Sequence, residues 1–122
     1  MEILGIGIDL AEVDRVESIL NRFPRFAERC FTPHEREYAF RFAHPAKRFA
    51  ARFAGKEAVM KSLGRGWRHI RWTDIEITGG GQPQVNLSGK AVARAEELGV
   101  KKVLITITHT ETTALVLALA MG

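Results

Sequence analysis

The fold is organised around residues 45–63, which read PAKRFAARFAGKEAVMKSL. Good helix formers make up most of this stretch, and its only proline stands at the first position, where a helix tolerates it. Gly64 and Gly66 follow directly, and glycine just beyond a run of helix formers is typical of a helix end. The pattern therefore predicts one long helix.

The residues before this helix predict a strand and two shorter helices. Residues 3–9 alternate large apolar residues with glycine and end on Asp9, which is typical of a short strand. Apolar residues then recur at helical spacing from 10 to 23, and Pro24 ends that period. Residues 32–35 read Thr-Pro-His-Glu, a capping box with proline at the first helical position, so a short helix begins there.

The residues after the long helix predict four strands and one further helix. In chain order the pattern gives a strand at 72–78, a glycine turn at 79–81, a return strand at 83–87, a helix at 89–98 capped by Ser88, and apolar strands at 103–108 and 113–121. The last two strands are joined by a short polar turn, which predicts a hairpin. This order favours a single-domain α+β fold over residues 1–122, with an antiparallel sheet packed against the long helix.

Composition bounds the class of protein. The chain has 122 residues, of which 46% are hydrophobic and 26% charged, which excludes a disordered chain and fits one soluble domain. Its longest fully apolar run, residues 114–121, is far shorter than the roughly 20 residues that span a bilayer. Glu2 stands where a signal peptide needs a base. Cys30 is the only cysteine, so no internal disulfide is expected, and a reducing cytoplasm is the expected compartment.

Basic residues concentrate in the middle of the chain. Residues 1–17 carry a net charge of −4 and residues 72–122 carry −1, whereas residues 22–71 hold thirteen bases against four acids, a net +9. A field of this sign favours an anionic partner such as a nucleic acid, a nucleotide or an acidic protein. A solvated basic helix face is the alternative interpretation.

Two acids are the candidate chemical groups. Asp9 ends the first strand, where a carboxylate can hold Mg²⁺ because that ion prefers hard oxygen ligands. The alternative is that Asp9 caps the helix that follows it. Glu57 lies on the long helix one turn before Lys61, and the alternative there is an exposed ion pair at i,i+4 spacing.

Cations and glycines surround the helical acid. Arg52 and Lys56 lie on the adjoining helix face, and the turn 64–66 follows Lys61, so these residues can form a phosphate cradle. His109 ends an apolar strand and can donate to phosphate, although a polar turn residue is the alternative. No spacing of histidine and cysteine indicates a zinc site.

Several of these segments occur together in one known family. The motifs are, in order, Gly5-Ile-Gly-Ile-Asp-Leu10, Arg52-Phe-Ala-Gly-Lys-Glu-Ala58, Lys61-Ser-Leu-Gly-Arg-Gly66, Asp74-Ile-Glu-Ile77, Gly81-Gln-Pro83 and Thr106-Ile-Thr-His-Thr110. On these motifs nearly the whole chain resembles the holo-[acyl-carrier-protein] synthases, the small 4′-phosphopantetheinyl transferases of fatty-acid synthesis. The departures from residues common in that family are Gly55, Arg65, Trp67 and Thr108, and none of them removes a metal or phosphate ligand.

The resemblance implies a fold, an activity and an assembly. Members of the family have the 4′-phosphopantetheinyl transferase fold. They transfer the 4′-phosphopantetheine arm of coenzyme A to a serine hydroxyl of acyl carrier protein and release adenosine 3′,5′-bisphosphate. They form homotrimers, with three active sites in the clefts between neighbouring subunits.

The resemblance also implies roles for residues of this chain. Asp9 and Glu57 would bind Mg²⁺ beside the pyrophosphate of coenzyme A. Lys61 would neutralise charge on the bridging or leaving oxygen and complete the catalytic set. Arg52 and Lys56 would hold outer phosphates. The full set implied to bind coenzyme A is Arg52, Phe53, Lys56, Lys61, Gly64, Gly66, Pro83, Thr108 and His109, with the last two near the 3′-phosphate.

The resemblance further implies a docking face for the carrier protein. Carrier proteins are acidic, and a row of arginines with an apolar anchor suits such a partner. The row follows the first strand and consists of Arg15, Arg22, Arg25, Phe26 and Arg29. A solvated basic face is the alternative.

Three other functions fit parts of the sequence. The basic middle third fits a nucleic-acid-binding module, although few aromatic residues are available for stacking on bases. Asp9 and Glu57 could serve a metal-dependent phosphohydrolase that uses water as its nucleophile. A non-catalytic assembly protein would leave this set of acids and lysine unexplained. We therefore expect neither a nucleic acid nor a membrane as partner.

Overall fold

Five strands and five helices make up the computed structural model, which describes all 122 residues. The strands are β1 (Ile3–Glu12), β2 (Ile75–Thr78), β3 (Gln84–Leu87), β4 (Lys102–His109) and β5 (Thr113–Met121). The helices are α1 (Val13–Arg22), α2 (Phe26–Cys30), α3 (Pro33–Phe40), α4 (Pro45–Leu63) and α5 (Gly89–Leu98). The predicted α+β class is confirmed, and α4 has the predicted bounds.

The strands form two antiparallel sheets. One sheet has the order β1-β5-β4, and β2 pairs with β3 in a separate hairpin. The predicted hairpin of β4 and β5 is confirmed, and its register pairs His109 with Ala114. On the other side of β5, Asp9 of β1 pairs with Val116. The first and last segments of the chain therefore meet in one sheet.

Helix α4 lies directly on β1 because two glycines leave room for it. A Cβ atom on Gly7 would collide with the carbonyl oxygen of Ala58, and one on Gly5 would collide with that of Ser62. Larger residues here would push the helix away from the strand. The two glycines therefore set the spacing of β1 and α4, and with it the distance from Asp9 to the end of the helix.

The hydrophobic core fills the space between α4 and the two sheets. The sheet residues that face α4 are small or β-branched, namely Val103, Ile105, Ala114, Val116, Ala118 and Ala120. Towards the β2–β3 hairpin, α4 packs Gly55 against Ile77. This central position explains why α4 is buried around most of its circumference. No helix of the chain is both long enough and apolar enough to cross a lipid bilayer.

The outer face of the three-stranded sheet is apolar and exposed. On β1, Ile6 is 64% exposed, Ile8 54% and Leu10 53%. Leu104 of β4 is 40% exposed, and β5 adds a row of half-buried leucines at 115, 117 and 119. Large apolar patches are rare on monomeric proteins and mark interaction surfaces.

Strand β1 is three residues longer than predicted, and α1 begins at Val13 rather than at residue 10. Leu10 and Glu12 continue the strand's alternation, and pairing with β5 extends to Glu12 opposite Thr113. The partner strand that supplies these hydrogen bonds is a hundred positions away, so local periodicity could not show them. Asp9 therefore lies inside a strand and does not cap a helix. Glu12 occupies the N-cap position without a side-chain hydrogen bond.

Two further expectations about the second half are wrong. Strand β2 begins at Ile75 because residues 72–74 form a 3-10 turn. The amide of Arg71, the residue before this turn, donates to the Asp74 carboxylate. Ser88 stands at the N-cap position of α5, but its side chain does not cap the helix. The Asp74 carboxylate takes that role by accepting a hydrogen bond from the Lys90 amide at 3.2 Å.

Candidate active site

Asp9, Glu57 and Lys61 come together where β1 crosses the C-terminal half of α4. The Lys61 ammonium donates to Oδ1 of Asp9 at 2.9 Å and to the carbonyl oxygen of Ile8 at 3.0 Å. The Asp9 side chain is 16% exposed, whereas that of Lys61 is 56% exposed. Because the lysine is open to solvent, the pair is accessible to an incoming anion.

Glu57 lies beside Asp9 in a partly buried setting. Burial, and then the neighbouring Asp9 carboxylate, raise the pKa of Glu57 from 4.5 to about 7, while Lys61 and Arg15 oppose that shift. Two carboxylates that disfavour each other's charge favour a shared proton or a bound cation. The strongly shifted pKa at an open cavity makes this the candidate catalytic centre.

Glu57 and Lys61 open into a cavity of about 260 Å³ at the C-terminal end of α4. Its walls are Glu57, Met60, Lys61, Gly64, Arg65, Gly66, Trp67 and Trp72. Gly64 ends the helix with a φ of 71°, and the amides of Gly64 and Arg65 donate to carbonyl oxygens of the last helical turn. Those two amides are already used, so Gly66 supplies the only amide of the turn 64–66 that is free to donate to phosphate.

A second cleft, of about 220 Å³, is lined by other basic side chains, and we call it the cation cleft. Its lining includes Tyr38, Lys47, Arg48, Arg52, Gly79, Gly80, Gly81, Pro83, His109 and Thr110. Three of the predicted coenzyme-binding residues, Arg52, Pro83 and His109, therefore meet here. The guanidinium carbon of Arg52 lies 4.2 Å from the centroid of the Tyr38 ring, and the buried Nε atom of Arg52 has no hydrogen-bond partner. A buried donor without a partner is rare in native proteins.

The catalytic cavity and this cation cleft lie on different sides of α4. Arg52 and Lys61 are nine residues apart, which is about 14 Å along the helix axis and about half a turn around it. On the sheet, Asp9 and His109 are separated by β5, and their registers place the two Cα atoms about 12 Å apart. Within one chain the two sites do not face each other.

The prediction that Lys56 holds an outer phosphate is wrong. Its side chain is wholly buried and pairs with the equally buried Glu35 at 2.7 Å. The ammonium also donates to the carbonyl oxygens of Trp72, at 3.0 Å, and of Ile75. Burial lowers the pKa of Lys56, and Glu35 opposes that shift. With all its donors used inside the core, Lys56 is not available to a ligand.

Two other predicted coenzyme contacts lie outside both cavities. Phe53 stacks on Trp72 with 4.8 Å between ring centroids and packs against the hydrophobic core. Thr108 lies on the outer face of β4, because neighbouring residues of a strand point to opposite faces and His109 points into the cation cleft. Thr110 lines that cleft instead.

Three of the five predicted docking residues, Arg25, Phe26 and Arg29, border a third and wider cleft of about 1090 Å³. Its lining is Ile19, Phe23, Pro24, Arg25, Phe26, Arg29, Cys30, Trp67, Arg71, Trp72 and Thr73. Arg22 and Arg15 lie outside this cleft. The guanidinium carbon of Arg22 is 5.7 Å from the centroid of the Phe23 ring. Arg15 is close enough to Glu57 to oppose the rise in its pKa. The arginine row therefore runs from the carboxylates to the wide cleft.

Three parts of these sites were not predicted. Lys47 and Arg48 lie about one turn before Arg52 on α4, and that spacing was a visible signal of a shared face. The position of the turn at 79–81 beside Arg52 was also not predicted, although the turn itself was, because that position depends on how β2 packs against α4. Trp72 walls both the catalytic cavity and the wide cleft, and no local pattern marked it.

The catalytic cavity fits a divalent cation that takes few protein ligands. No three histidine, cysteine, aspartate or glutamate side chains converge as a metal site in this structure. Mg²⁺ is usually held by one or two carboxylates together with phosphate and water oxygens. Asp9 and Glu57 supply two carboxylates, and the raised pKa of Glu57 means that a positive charge beside it is favourable.

Comparison with known sequences gives the family. A profile of the 4′-phosphopantetheinyl transferase superfamily matches residues 5–120. The chain is 48% identical over 112 residues to the holo-[acyl-carrier-protein] synthase of Solibacter usitatus, and the match covers 88% of this chain and 90% of that protein.

Solved structures agree with the sequence comparison. The holo-[acyl-carrier-protein] synthase of Neisseria meningitidis has a TM-score of 0.89 at 29% identity, covering 99% of this chain and 100% of that one. The synthase of Bacillus anthracis, in complex with CoA (3′,5′-ADP), has a TM-score of 0.79 at 29% identity and covers 98% of each chain. Sequence and fold together show that this chain belongs to the holo-[acyl-carrier-protein] synthases of the 4′-phosphopantetheinyl transferase superfamily, a family of transferase enzymes.

Proposed function

We propose that this chain transfers the 4′-phosphopantetheine group of coenzyme A to a serine of apo acyl carrier protein and releases adenosine 3′,5′-bisphosphate. The observation that carries the proposal is the meeting of Asp9 with Glu57 and Lys61, where two carboxylates and a lysine come together and the last two residues line an open cavity. The Solibacter relative is a holo-synthase, and the Bacillus anthracis relative binds CoA (3′,5′-ADP). The whole chain would act as one domain in the reducing cytoplasm, which its single buried Cys30 fits.

Asp9, Glu57 and Lys61 would have different roles in the transfer. Asp9 and Glu57 would hold Mg²⁺, which when bound withdraws charge from the phosphate under attack. Lys61 has a donor left after its bonds to Asp9 and to the β1 backbone, and it would direct that donor at the oxygen on which charge builds. A water molecule hydrogen-bonded to one of the carboxylates would relay the proton of the acceptor serine to that carboxylate.

The cation cleft suits the nucleotide end of coenzyme A. Lys47, Arg48, Arg52 and His109 line it and supply positive charge and donors for a phosphate monoester. We assign the 3′-phosphate to this cleft on the chemistry of these groups.

We further propose a homotrimer in which each site is shared by two subunits. The exposed apolar face of the three-stranded sheet supplies a surface for association. In a ring, one surface of each subunit contacts a different surface of its neighbour. Such a contact would bring the catalytic cavity of one subunit to the cation cleft of the next, so that one coenzyme A could reach both.

Subunit mixing tests the shared site. Asp9→Ala and His109→Ala trimers, each impaired alone at low coenzyme A, should regain activity when they are unfolded together and refolded. Random mixing of a ring leaves about a quarter of the sites with both residues intact. Activity that stays at the level of the separate variants would show that each site lies within one subunit.

The carrier protein would dock on the arginine row and the wide cleft. Arg25 and Arg29 at the rim complement an acidic surface, and Phe26, Trp67 and Trp72 give an apolar floor for a side chain of the partner. This places the carrier next to the catalytic cavity, because Trp67 and Trp72 wall both spaces.

Mass spectrometry of an apo acyl carrier protein tests the function. Incubation with this protein, coenzyme A and Mg²⁺ should add one phosphopantetheine arm to the carrier, and a carrier whose acceptor serine is replaced by alanine should remain unmodified. No mass gain on the intact carrier would refute the transferase. A melting temperature raised by oligonucleotide but not by coenzyme A would favour a nucleic-acid-binding module instead.

A further inference from the structure

The buried ion pair of Lys56 and Glu35 has no part in the chemistry above, yet its hydrogen bonding is complete. Oε1 of Glu35 accepts from Lys56 at 2.7 Å and from the Thr32 amide at 2.9 Å, and Oε2 accepts from the Ile77 amide at 2.8 Å. The Lys56 ammonium also donates to backbone carbonyl oxygens of Trp72 and of the first residue of β2. The pair therefore joins α3, α4 and the segment that enters β2.

Stability alone does not require these charges. Both side chains are fully buried, and replacing a buried ion pair by packed apolar residues is often neutral or stabilising. A fully satisfied polar network does something that apolar contacts do not, because its hydrogen bonds have direction. Here the directed bonds fix the backbone of residues 72–75 against the middle of α4.

The segment held in this way is a wall of the catalytic cavity. Trp72 accepts the Lys56 hydrogen bond at 3.0 Å through its carbonyl oxygen. Its ring stacks on Phe53 with an interplanar angle of 22° and lines the cavity that Glu57 and Lys61 also line. Lys56 and Glu57 are adjacent on α4, and their side chains point in different directions. Lys56 binds the backbone of Trp72 from within the core, whereas Glu57 lines the cavity.

We propose that Lys56 and Glu35 are positioning residues, which hold Trp72 at the distance from Glu57 and Lys61 that phosphopantetheine transfer needs. Neither residue touches a substrate. The kinetic consequence rests on the proposed function, whereas the position of Trp72 does not. A displacement of about 1 Å in a group that positions substrate can cost about a hundredfold in rate.

The test compares Lys56→Met with the double variant Glu35→Gln/Lys56→Met, which removes both charges and keeps the side chains of similar length. Both are made in a Trp67→Phe background, where Trp72 is the only tryptophan. Melting temperature, the Trp72 emission maximum, acrylamide quenching, kcat and KM are measured against the Trp67→Phe parent.

The double variant should regain most of the melting temperature lost in Lys56→Met, because no unpaired charge remains buried. Its Trp72 emission should stay shifted, and its kcat should stay about tenfold to a hundredfold below that of the parent. Glu37→Gln is the matched control, since it breaks the exposed Glu37–Arg41 pair on the same helix as Glu35 and should change none of these quantities.

A double variant with the melting temperature, emission and kcat of the parent would overturn the proposal, because the pair would then be structural only. If the double variant does not fold, Trp72→Leu decides, since it removes the wall and leaves the ion pair in place. An unchanged kcat in Trp72→Leu would equally overturn the proposal.

Failure of the proposed function has a different signature. The parent protein would then modify no carrier, and the Trp72 measurements would still be available. A shifted emission in the folded double variant would support the positioning of Trp72 by the pair, and an unshifted emission would overturn it.

Discussion

Lys56 and Lys61 lie five residues apart on α4, each paired with a carboxylate, and the two pairs have opposite settings. The Lys56–Glu35 pair is 2.7 Å long and fully buried. The Lys61–Asp9 pair is 2.9 Å long, and its lysine is 56% exposed. Five residues rotate a helix by about 140°, so one lysine points into the core between α3 and β2 while the other lies over β1.

The difference between the pairs lies in the hydrogen bonds around them. The three donors of Lys56 are committed to Glu35 and to two backbone carbonyl oxygens. Lys61 makes two such bonds, to Asp9 and Ile8, and an ammonium has three donors. A lysine with a free donor at a cavity can take part in chemistry, whereas a saturated one can only hold its neighbours.

The largest expected effect is a difference in protein stability when each lysine is replaced. Lys56→Met leaves Glu35 buried without its cation, and it should lower the free energy of unfolding by about 3–5 kcal/mol. Lys61→Met removes a lysine that is 56% exposed and should change that free energy by less than about 1 kcal/mol. Urea unfolding followed by circular dichroism measures both. Equal losses would contradict the division into a structural and a chemical pair.

A similar loss should fall on activity when the carboxylates of the catalytic cavity are removed. Asp9→Ala and Glu57→Ala should each nearly abolish transfer, a loss of about 3–5 kcal/mol of transition-state stabilisation. Neither carboxylate holds the core together, so the far-ultraviolet circular dichroism of both variants should match that of wild type. Near-normal turnover in Asp9→Ala would remove Asp9 from the catalytic set.

The two lysines also show what the sequence could and could not predict. Helix α4, the capping box at Thr32 and the β4–β5 hairpin follow from patterns within a few residues, and the structure confirms them. The partner of Lys56 is 21 positions away, and its burial depends on how α3 and β2 pack on α4. No periodicity carries that information, so Lys56 was predicted as a phosphate ligand.

The meeting of Asp9 with Glu57 and Lys61 was predictable in part, for a different reason. Gly5 and Gly7 indicate that another segment approaches β1 closely, and Glu57 and Lys61 share one face of the predicted helix. The boundary of β1 was not predictable, because pairing of Leu10 with Leu115 comes from the far end of the chain. The same pairing places Asp9 inside the strand and directs it towards α4.

A smaller effect should separate rate from binding at Lys61. Lys61→Ala should lower kcat by about a hundredfold, because the charge that this ammonium meets develops in the transition state. The KM for coenzyme A should change much less, since the cations of the second cleft remain. Steady-state kinetics with saturating carrier protein measure both. A change confined to KM would show that Lys61 only holds ground-state phosphate.

The titration of Glu57 should appear as a pH dependence of stability. Its pKa in the folded protein, about 7, is above the ordinary 4.5, so between these values the folded state binds more protons than the unfolded state. Its contribution to stability is therefore present at low pH and is lost as the pH rises from about 4.5 through about 7. Glu57→Gln should remove that slope in urea titrations at pH 5, 6, 7 and 8.

Carbon-13 NMR of the Glu57 carboxyl measures the same property directly. In Asp9→Ala the pKa of Glu57 should fall, because the neighbouring negative charge is gone. It should stay above 4.5, since burial is the larger cause of the shift. A wild-type Glu57 that titrates near 4.5 would contradict the close approach of the two carboxylates.

The smallest effect concerns the surface beside the catalytic cavity. Arg15→Glu should raise the KM for the carrier protein by up to about tenfold and leave the KM for coenzyme A unchanged, because an exposed arginine steers an acidic partner without touching the nucleotide. Arg41→Glu is the matched control, since Arg41 is also exposed, lies at the C-cap of α3 and does not belong to the predicted arginine row.

The salt dependence of the KM for the carrier protein distinguishes electrostatic steering by Arg15 from a solvated basic face. The Debye length falls from about 10 Å at 0.1 M to about 3 Å at 1 M, so the wild-type KM for the carrier should rise with salt and approach that of Arg15→Glu. If Arg15 is only part of a solvated face, replacing it should change the free energies of folding and of carrier binding by less than about 0.5 kcal/mol. Carrier titrations of wild type, Arg15→Glu and Arg41→Glu at the two salt concentrations decide the matter. Equal carrier KM values for all three at low salt would place the docking surface elsewhere, and the arginine row would then be a solvated face like that of Arg41.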